Sequence, residues 1–235
     1  MKKSLFQITA MAAIVAILFA GCKKDDNATP DVTLIGGSDT IISLNAPYTD
    51  PGATASDAED GTLLPTSDES AANPDVNNAG VYYVKWTVTD ADGNSASATR
   101  TITVRNDAYE LAGSYNTTEG GGTPWTQTIS LSTTQNNVIK FSKFANYQNN
   151  TGIVAVVTSL GSDKYVQITP SPQQANGIGA TACDHSFSGD GFGNKLTASG
   201  SGYTFSIKFT DQITGGGGSC TPTGALPFED VFIPN

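Results

Sequence analysis

Polar and apolar residues alternate in short runs along most of the chain. Over residues 81–88, Tyr82, Val84, Trp86 and Val88 fall on one side of a two-residue period, and Val81, Tyr83, Lys85 and Thr87 on the other. That is the pattern of a strand with one buried face, and it places the first set in a core with Trp86 at its centre. Ala96, Ala98, Ile102 and Val104 repeat the period, and Arg100 sits in the same row, in conflict with a purely apolar inward face. Residues 32–35 and 40–44 are shorter strand candidates separated by Gly36-Gly37. Tyr48-Thr49-Asp50-Pro51-Gly52 and Asp90-Ala91-Asp92-Gly93-Asn94 are turn clusters. Further candidates fall at 114–118, 125–132, 138–144, 153–158, 165–169, 202–210 and 230–233. Tyr203, Phe205, Ile207 and Phe209 make the sharpest apolar row. No helix of normal length fits beyond residue 106. The spacing predicts an all-β chain: an antiparallel sandwich over 31–105, then an up-and-down sheet over 107–235 curled into an antiparallel β-barrel or half-barrel. Asn106-Asp107-Ala108 is the expected joint.

The N-terminus breaks the alternation. Met1-Lys2-Lys3 leads into an apolar stretch over 8–19, broken only by Thr9. Such a stretch is too short to cross about 30 Å of hydrocarbon and reads as the core of a signal peptide. It ends in Leu18-Phe19-Ala20-Gly21-Cys22, which resembles the lipobox of bacterial lipoproteins, with Phe19 in place of the more usual Leu. The resemblance implies a signal peptide over 1–21, cleavage before Cys22, and acyl chains such as palmitate on Cys22; an ordinary secretory signal with a chance Cys is the alternative. Two or three acyl chains anchor stably where one does not. Lys23-Lys24-Asp25-Asp26 resembles the Lys-plus-acidic export tag of Bacteroidota-type lipoproteins. That implies display on the outer face of the outer membrane, with 22–30 as tether; a periplasm-facing anchor remains the alternative.

Composition narrows the function. Charged residues are 14% of the chain while Thr and Ser number 30 and 21, so polarity comes from hydroxyls, which favours strands over helical bundles. A net charge of −10 argues against nucleic acid as a partner, because phosphates are neutralised by Lys and Arg. One His and three Cys leave few parts for metal or nucleophilic chemistry.

Within 31–105, Asp50-Pro51-Gly52-Ala53, Ala55-Ser56-Asp57, Asp60-Gly61, Gly80-Val81-Tyr82-Tyr83-Val84 and Val88-Thr89-Asp90 followed by Gly93-Asn94 resemble, in that order, the Ig-like domain of bacterial surface proteins and some pesticidal crystal proteins. The resemblance implies a spacer or adhesion module. The segment has no cysteine and so no inter-sheet disulfide. Its loops carry Asp57, Asp60 and Asp90, a candidate calcium set to be weighed against the simpler reading of turn-forming Asp side chains. Asp39-Thr40-Ile41 resembles the Bacteroidota O-glycosylation acceptor, which would modify Thr40; the alternative is that Thr40 simply begins a strand.

In 107–235, Gly113-Ser114-Tyr115 resembles the Gly-x-aromatic opening of lipocalin-like barrels. Trp125 follows a Gly-rich approach and Tyr147 lies in an amide-rich loop, a pairing that suits sugar stacking and hydrogen bonding; ordinary packing is the alternative. Cys183 and Cys220 remain once Cys22 is lipidated, and an even count outside the cytosol points to a disulfide. Cys183-Asp184-His185-Ser186 places catalytic residue types side by side, but neighbours on a strand point to opposite faces and a triad is assembled in space. His185 is therefore read as a solvated loop residue, and zinc lacks ligands. The expectation is a non-enzymatic, lipid-anchored envelope protein that recognises a glycan or another extracellular ligand and needs no cofactor, calcium excepted. The alternative is a structural or adhesive surface protein that meets another envelope protein. An uncharacterised glycoside hydrolase is a distant third.

Overall fold

The computed structural model describes residues 26–68, 74–147, 152–178, 182–200, 202–217 and 220–235. The expected signal peptide and Cys22 lie outside the described residues. The fold is all-β, with no α-helix among the described residues.

The N-terminal segment contributes β1 (Asp31–Leu34), β2 (Asp39–Ser43), β3 (Ala53–Asp57), β4 (Gly61–Leu63), β5 (Thr66–Ser67), β6 (Gly80–Thr89) and β7 (Ser95–Arg105). They form two sheets, β1-β3-β4 and β2-β7-β6-β5, with β2 parallel to β7. Val84 and Val88 on β6 and Ile102 and Val104 on β7 are buried, so both predicted inward rows hold. Trp86 lies on the expected face but only half-buried; Val84 is the fully enclosed member of the row. Trp86 covers Gly52, whose φ of +91° suits the turn after Pro51. Arg100 keeps its inward register and is fully buried. Its Nε lies 2.9 Å from Asp50 Oδ2, and Nη1 donates to Gly37 O at 2.8 Å.

The C-terminal segment contributes β8 (Gly113–Glu119), β9 (Trp125–Leu131), β10 (Val138–Phe141), β11 (Val154–Leu160), β12 (Asp163–Gln167), β13 (Gln173–Ile178), β14 (Cys183–Gly189), β15 (Thr197–Ser199), β16 (Gly202–Gly216) and β17 (Leu226–Pro234). They make one curled half-barrel sheet in the order β12-β11-β10-β9-β8-β17-β16-β14-β13, with β15 added on β16 and every neighbour pair antiparallel. β13, β14 and β15 were not among the sequence candidates. Of the edge strands, β13 reaches β11 through one side chain: the Gln173 amide accepts from Val154 N–H at 2.9 Å and donates to Val154 O at 2.8 Å, standing in for a peptide group. On the other side, Leu196 N–H donates to Lys164 O at 2.8 Å.

The inner face is aromatic. Phe205 stacks on Phe232 at 4.6 Å, and Phe144 meets Phe209 at 4.8 Å and Phe187 at 5.3 Å. Each ring removed from water contributes roughly 1.5–3 kcal/mol. The described residues fall into two compact units, 26–36 with 51–68 and 85–99, and 37–50 with 74–84 and 100–235. The predicted joint residue Asn106 is buried in the second unit. Its Nδ2 reaches the carbonyls of Ser132, Gln135 and Val138 at 3.0 Å each, and its Oδ1 accepts from Ala108 and Asn137 N–H. A buried amide satisfied on both ends fixes the chain direction there.

Candidate functional site

Strand register assembles a polar cluster within the aromatic lining. β17 pairs with β8 so that Asp230 faces Glu119 and Phe232 faces Thr117. β8 pairs with β9 so that Thr117 faces Trp125. Residues opposite one another across a ladder share a face, so Glu119, Thr117, Trp125 and Asp230 lie on the Phe232 side. On β16 the inner row Phe205, Ile207 and Phe209 continues to Asp211. β14 brings His185, whose Nδ1 lies 2.8 Å from Asp211 Oδ1. The Tyr147 hydroxyl donates to Asp211 Oδ2 at 3.0 Å, and its ring lies 4.7 Å from that of His185. Tyr147 is presented by a turn in which Ala145 and Asn146 have φ of 51° and 57°. A left-handed Ala is a strained choice that its surroundings must hold in place.

Burial sets the electrostatics. Asp230 is 1% exposed, and neither carboxyl oxygen has a hydrogen-bond partner. Desolvation, reinforced by the charge of Glu119, pushes its pKa up to about 8. Glu119 is raised by desolvation and by Asp211. The Tyr147 phenol is raised by desolvation, then by the charge and hydrogen bond of Asp211, and then by Glu119. Thr117 Oγ1 and Trp125 Nε1 are also buried without partners. Buried polar atoms in native folds are satisfied by protein, water or ligand, so this cluster offers an indole donor, a hydroxyl, carboxyl groups and aromatic faces to a bound group. Its acidity opposes anions.

Both aromatics singled out from sequence, Trp125 and Tyr147, belong to this cluster. Glu119, Asp211, Asp230 and His185 were not foreseen in it. The reading of His185 as a solvated loop residue is corrected: it is 4% exposed, lies on β14 and pairs with Asp211. Cys183 and Cys220 form the expected disulfide, with Cα atoms 5.5 Å apart. Thr40 is half-buried in β2. Of the candidate calcium set, Asp57 and Asp90 converge, but with Asp26 as the third acid. Asp60 Oδ2 instead accepts from Ala91 N–H at 2.8 Å. Towards the start of β16, and away from the acidic cluster, a cavity of about 270 Å³ is lined by Leu111, Val157, Lys164, Lys195, Leu196 and Tyr203, among others. The Tyr203 hydroxyl there donates to Glu110 at 2.8 Å.

The motif order and strand arrangement of the N-terminal segment define an Ig-like domain of the bacterial surface type. Residues 32–104 match the family model described as bacterial surface protein, Ig-like domain. Among solved structures, the lipoprotein BT2262 from Bacteroides thetaiotaomicron is 15% identical over 86% of this chain and 98% of that one, with a TM-score of 0.30. A structure of CBM51-2 in complex with GlcNAc and INT domains from Clostridium perfringens ZmpB is 15% identical, covering 88% of this chain and 44% of that one, with a TM-score of 0.26. Likeness at this level does not bear on the site. No curated protein matches the chain.

Proposed function

We propose that this is a lipid-anchored protein of the outer membrane, facing the cell exterior, whose C-terminal sheet binds a hydroxyl-rich ligand, a glycan, without catalysis. The lipobox-like run ending at Cys22 and the Ig-like match over 32–104 support the location. The observation that carries the binding reading is the set of unpartnered buried polar atoms, Trp125 Nε1, Thr117 Oγ1 and both Asp230 carboxyl oxygens, beside Glu119 and Tyr147. Sugars meet such sites with vicinal hydroxyls on carboxyl groups and C–H faces on aromatic rings. The neutral form of Asp230 both donates and accepts, as a hydroxyl ligand requires.

A glycan array probed with the full chain tests this. Binding to one glycan class that is lost in Trp125→Ala and weakened in Tyr147→Phe supports it. No glycan binding, with capture of an envelope protein instead, moves the function to adhesion. That second reading draws on the exposed apolar residues Ile41, Val81 and Tyr83 on β2 and β6. Turnover of a polysaccharide by the wild-type chain would replace binding with hydrolysis. Mass spectrometry of the native N-terminus and protease shaving of intact cells test the anchor and its orientation.

A further inference from the structure

We infer that Asp26, Asp57 and Asp90 form a calcium site that binds the N-terminal segment to two turns of the Ig-like domain. One carboxylate oxygen from each lies within 4.8 Å of the others. Asp57 ends β3, and its Oδ1 accepts from the N–H groups of Glu59 and Asp60 in the turn that follows. Asp90 follows β6, and its Oδ1 accepts from the N–H groups of Asp92 and Asn94. Asn94 Nδ2 donates to Asp90 Oδ2 at 2.9 Å and to the Asp26 carbonyl at 3.0 Å, tying the arriving chain to the β6–β7 turn.

These bonds shape the loops but do not account for Asp26. Its Oδ1 accepts from Ala28 N–H, while Oδ2 is buried with no partner, in a residue only 8% exposed. An unpartnered, desolvated carboxylate oxygen beside two more carboxylates is unfavourable unless a positive charge joins it. Among the described residues, none of the three acids takes part in an ion pair with Lys, Arg or His.

The donor set chooses the ion. It contains only hard oxygens, so thiolate- and imidazole-seeking metals are disfavoured. Calcium takes 6–8 oxygens at 2.3–2.6 Å in irregular geometry, so two ligands on opposite sides of it stand about 4.8 Å apart. The three carboxylate oxygens here lie within that span of one another. Three carboxylates, some bidentate, with waters would complete the shell, whereas magnesium demands a near-ideal octahedron and keeps most of its water. The site stands whether or not Cys22 is acylated. If it is, the ion clasps the lipid tether to the domain a few residues beyond the anchor.

Calcium and magnesium are titrated calorimetrically into the metal-stripped full chain, and thermal unfolding is followed in calcium, magnesium or chelator. One calcium per chain is expected, with an affinity of about 10⁻⁴–10⁻³ M, the range of extracellular modules, and a rise in melting temperature larger than that in magnesium. Asp26→Asn lies at the entry of the chain, leaves the domain folded, and is expected to weaken calcium binding about ten-fold or more. Asp57→Asn should do the same, and Asp60→Asn should not. No heat and no thermal shift with calcium at about 10 mM would overturn the site. Calcium binding unchanged in Asp26→Asn would overturn its assignment to these residues, and equal response to magnesium would overturn the choice of ion. None of these outcomes depends on the glycan array, so the two readings fail separately.

Discussion

His185 Nδ1 lies 2.8 Å from Asp211 Oδ1, both residues buried among aromatic rings on the inner face of the C-terminal sheet. The second Asp211 oxygen accepts from Tyr147. One carboxylate therefore holds a strand residue and a turn residue together. Asp211→Ala strands both partners, and leaving a buried polar group unsatisfied costs about 1–3 kcal/mol, more where a charge is involved. Urea unfolding is expected to report a loss of about 2–4 kcal/mol for Asp211→Ala and about 1 kcal/mol for Tyr147→Phe, which keeps its ring against His185. In a double-mutant cycle the two effects should be strongly non-additive; simple addition would mean that the Tyr147 bond contributes nothing.

Asp230 makes the stability of the domain depend on pH. Its carboxyl has an ordinary value of 3.8 and is pushed up to about 8 in the fold, chiefly by burial. Below pH 4 it is protonated in both states and has no effect on the balance. Between about pH 4 and 8 the unfolded chain releases the proton while the folded chain keeps it, so stability falls as pH rises, by on the order of 5 kcal/mol in total. Glu119, raised by burial and by Asp211, adds to the fall in the same direction. Urea midpoints should drop between pH 5 and pH 8 in the wild-type chain. Asp230→Asn should flatten most of that slope and be the more stable protein at pH 8; an unchanged slope would mean that Asp230 is ionised in the fold.

How far the sequence reached depends on what each element buries. β6 and β16 were legible because their inner rows are large and apolar, and β7 because its small-residue row ends in Ile102 and Val104. Arg100 was legible as a member of its row but not as its fit, because its partners Asp50 and Gly37 come from loops far along the chain. β14 does alternate, Cys183, His185 and Phe187 inward against Asp184, Ser186 and Ser188, yet only Phe187 is strongly hydrophobic, so the period carries little signal. The acidic cluster was missed for a related reason. Asp211 prolongs one apolar row and Asp230 interrupts another between Phe228 and Phe232, and the meeting of Asp230 with Glu119 is set by the register of β17 on β8, which no local pattern encodes. Trp125 and Tyr147 were found because exposed-looking aromatics beside Gly and Asn stand out in composition. Their acidic neighbours do not.

Arg100 and Asp50 form a fully buried ion pair, with side chains 0% and 5% exposed. Removing one partner of such a pair leaves an uncompensated charge and costs about 3–5 kcal/mol, while replacing both with apolar residues is often close to neutral. Arg100→Met and Asp50→Ala are each expected to lower stability by that amount. Arg100→Met combined with Asp50→Leu should recover much of the loss, less the share due to the Gly37 carbonyl that Arg100 also satisfies. Thermal unfolding of the three variants measures this. Equal loss in the double variant would show that the pair guides the loop rather than balances charge.

Cys183 and Cys220 are 37 residues apart in sequence, and Cys220 follows a run of glycines from Gly215 to Gly218. A link closing such a loop stabilises by about 3–4 kcal/mol in the chain-entropy model, because the open glycine-rich chain has the most freedom to lose. Cys183→Ser with Cys220→Ser should lower the denaturation midpoint accordingly, and reducing agent should shift the wild-type chain to the same value without affecting the variant. Gly216 is the complementary test. Its φ is +121°, and a Cβ there would stand 2.8 Å from Cys183 Cα and 3.1 Å from Ala182 O. Gly216→Ala therefore strains the backbone beside the bridge, and part of the protein should carry free thiols in native titration. A fully oxidised, undiminished Gly216→Ala protein would mean that the segment repacks around the disulfide without cost.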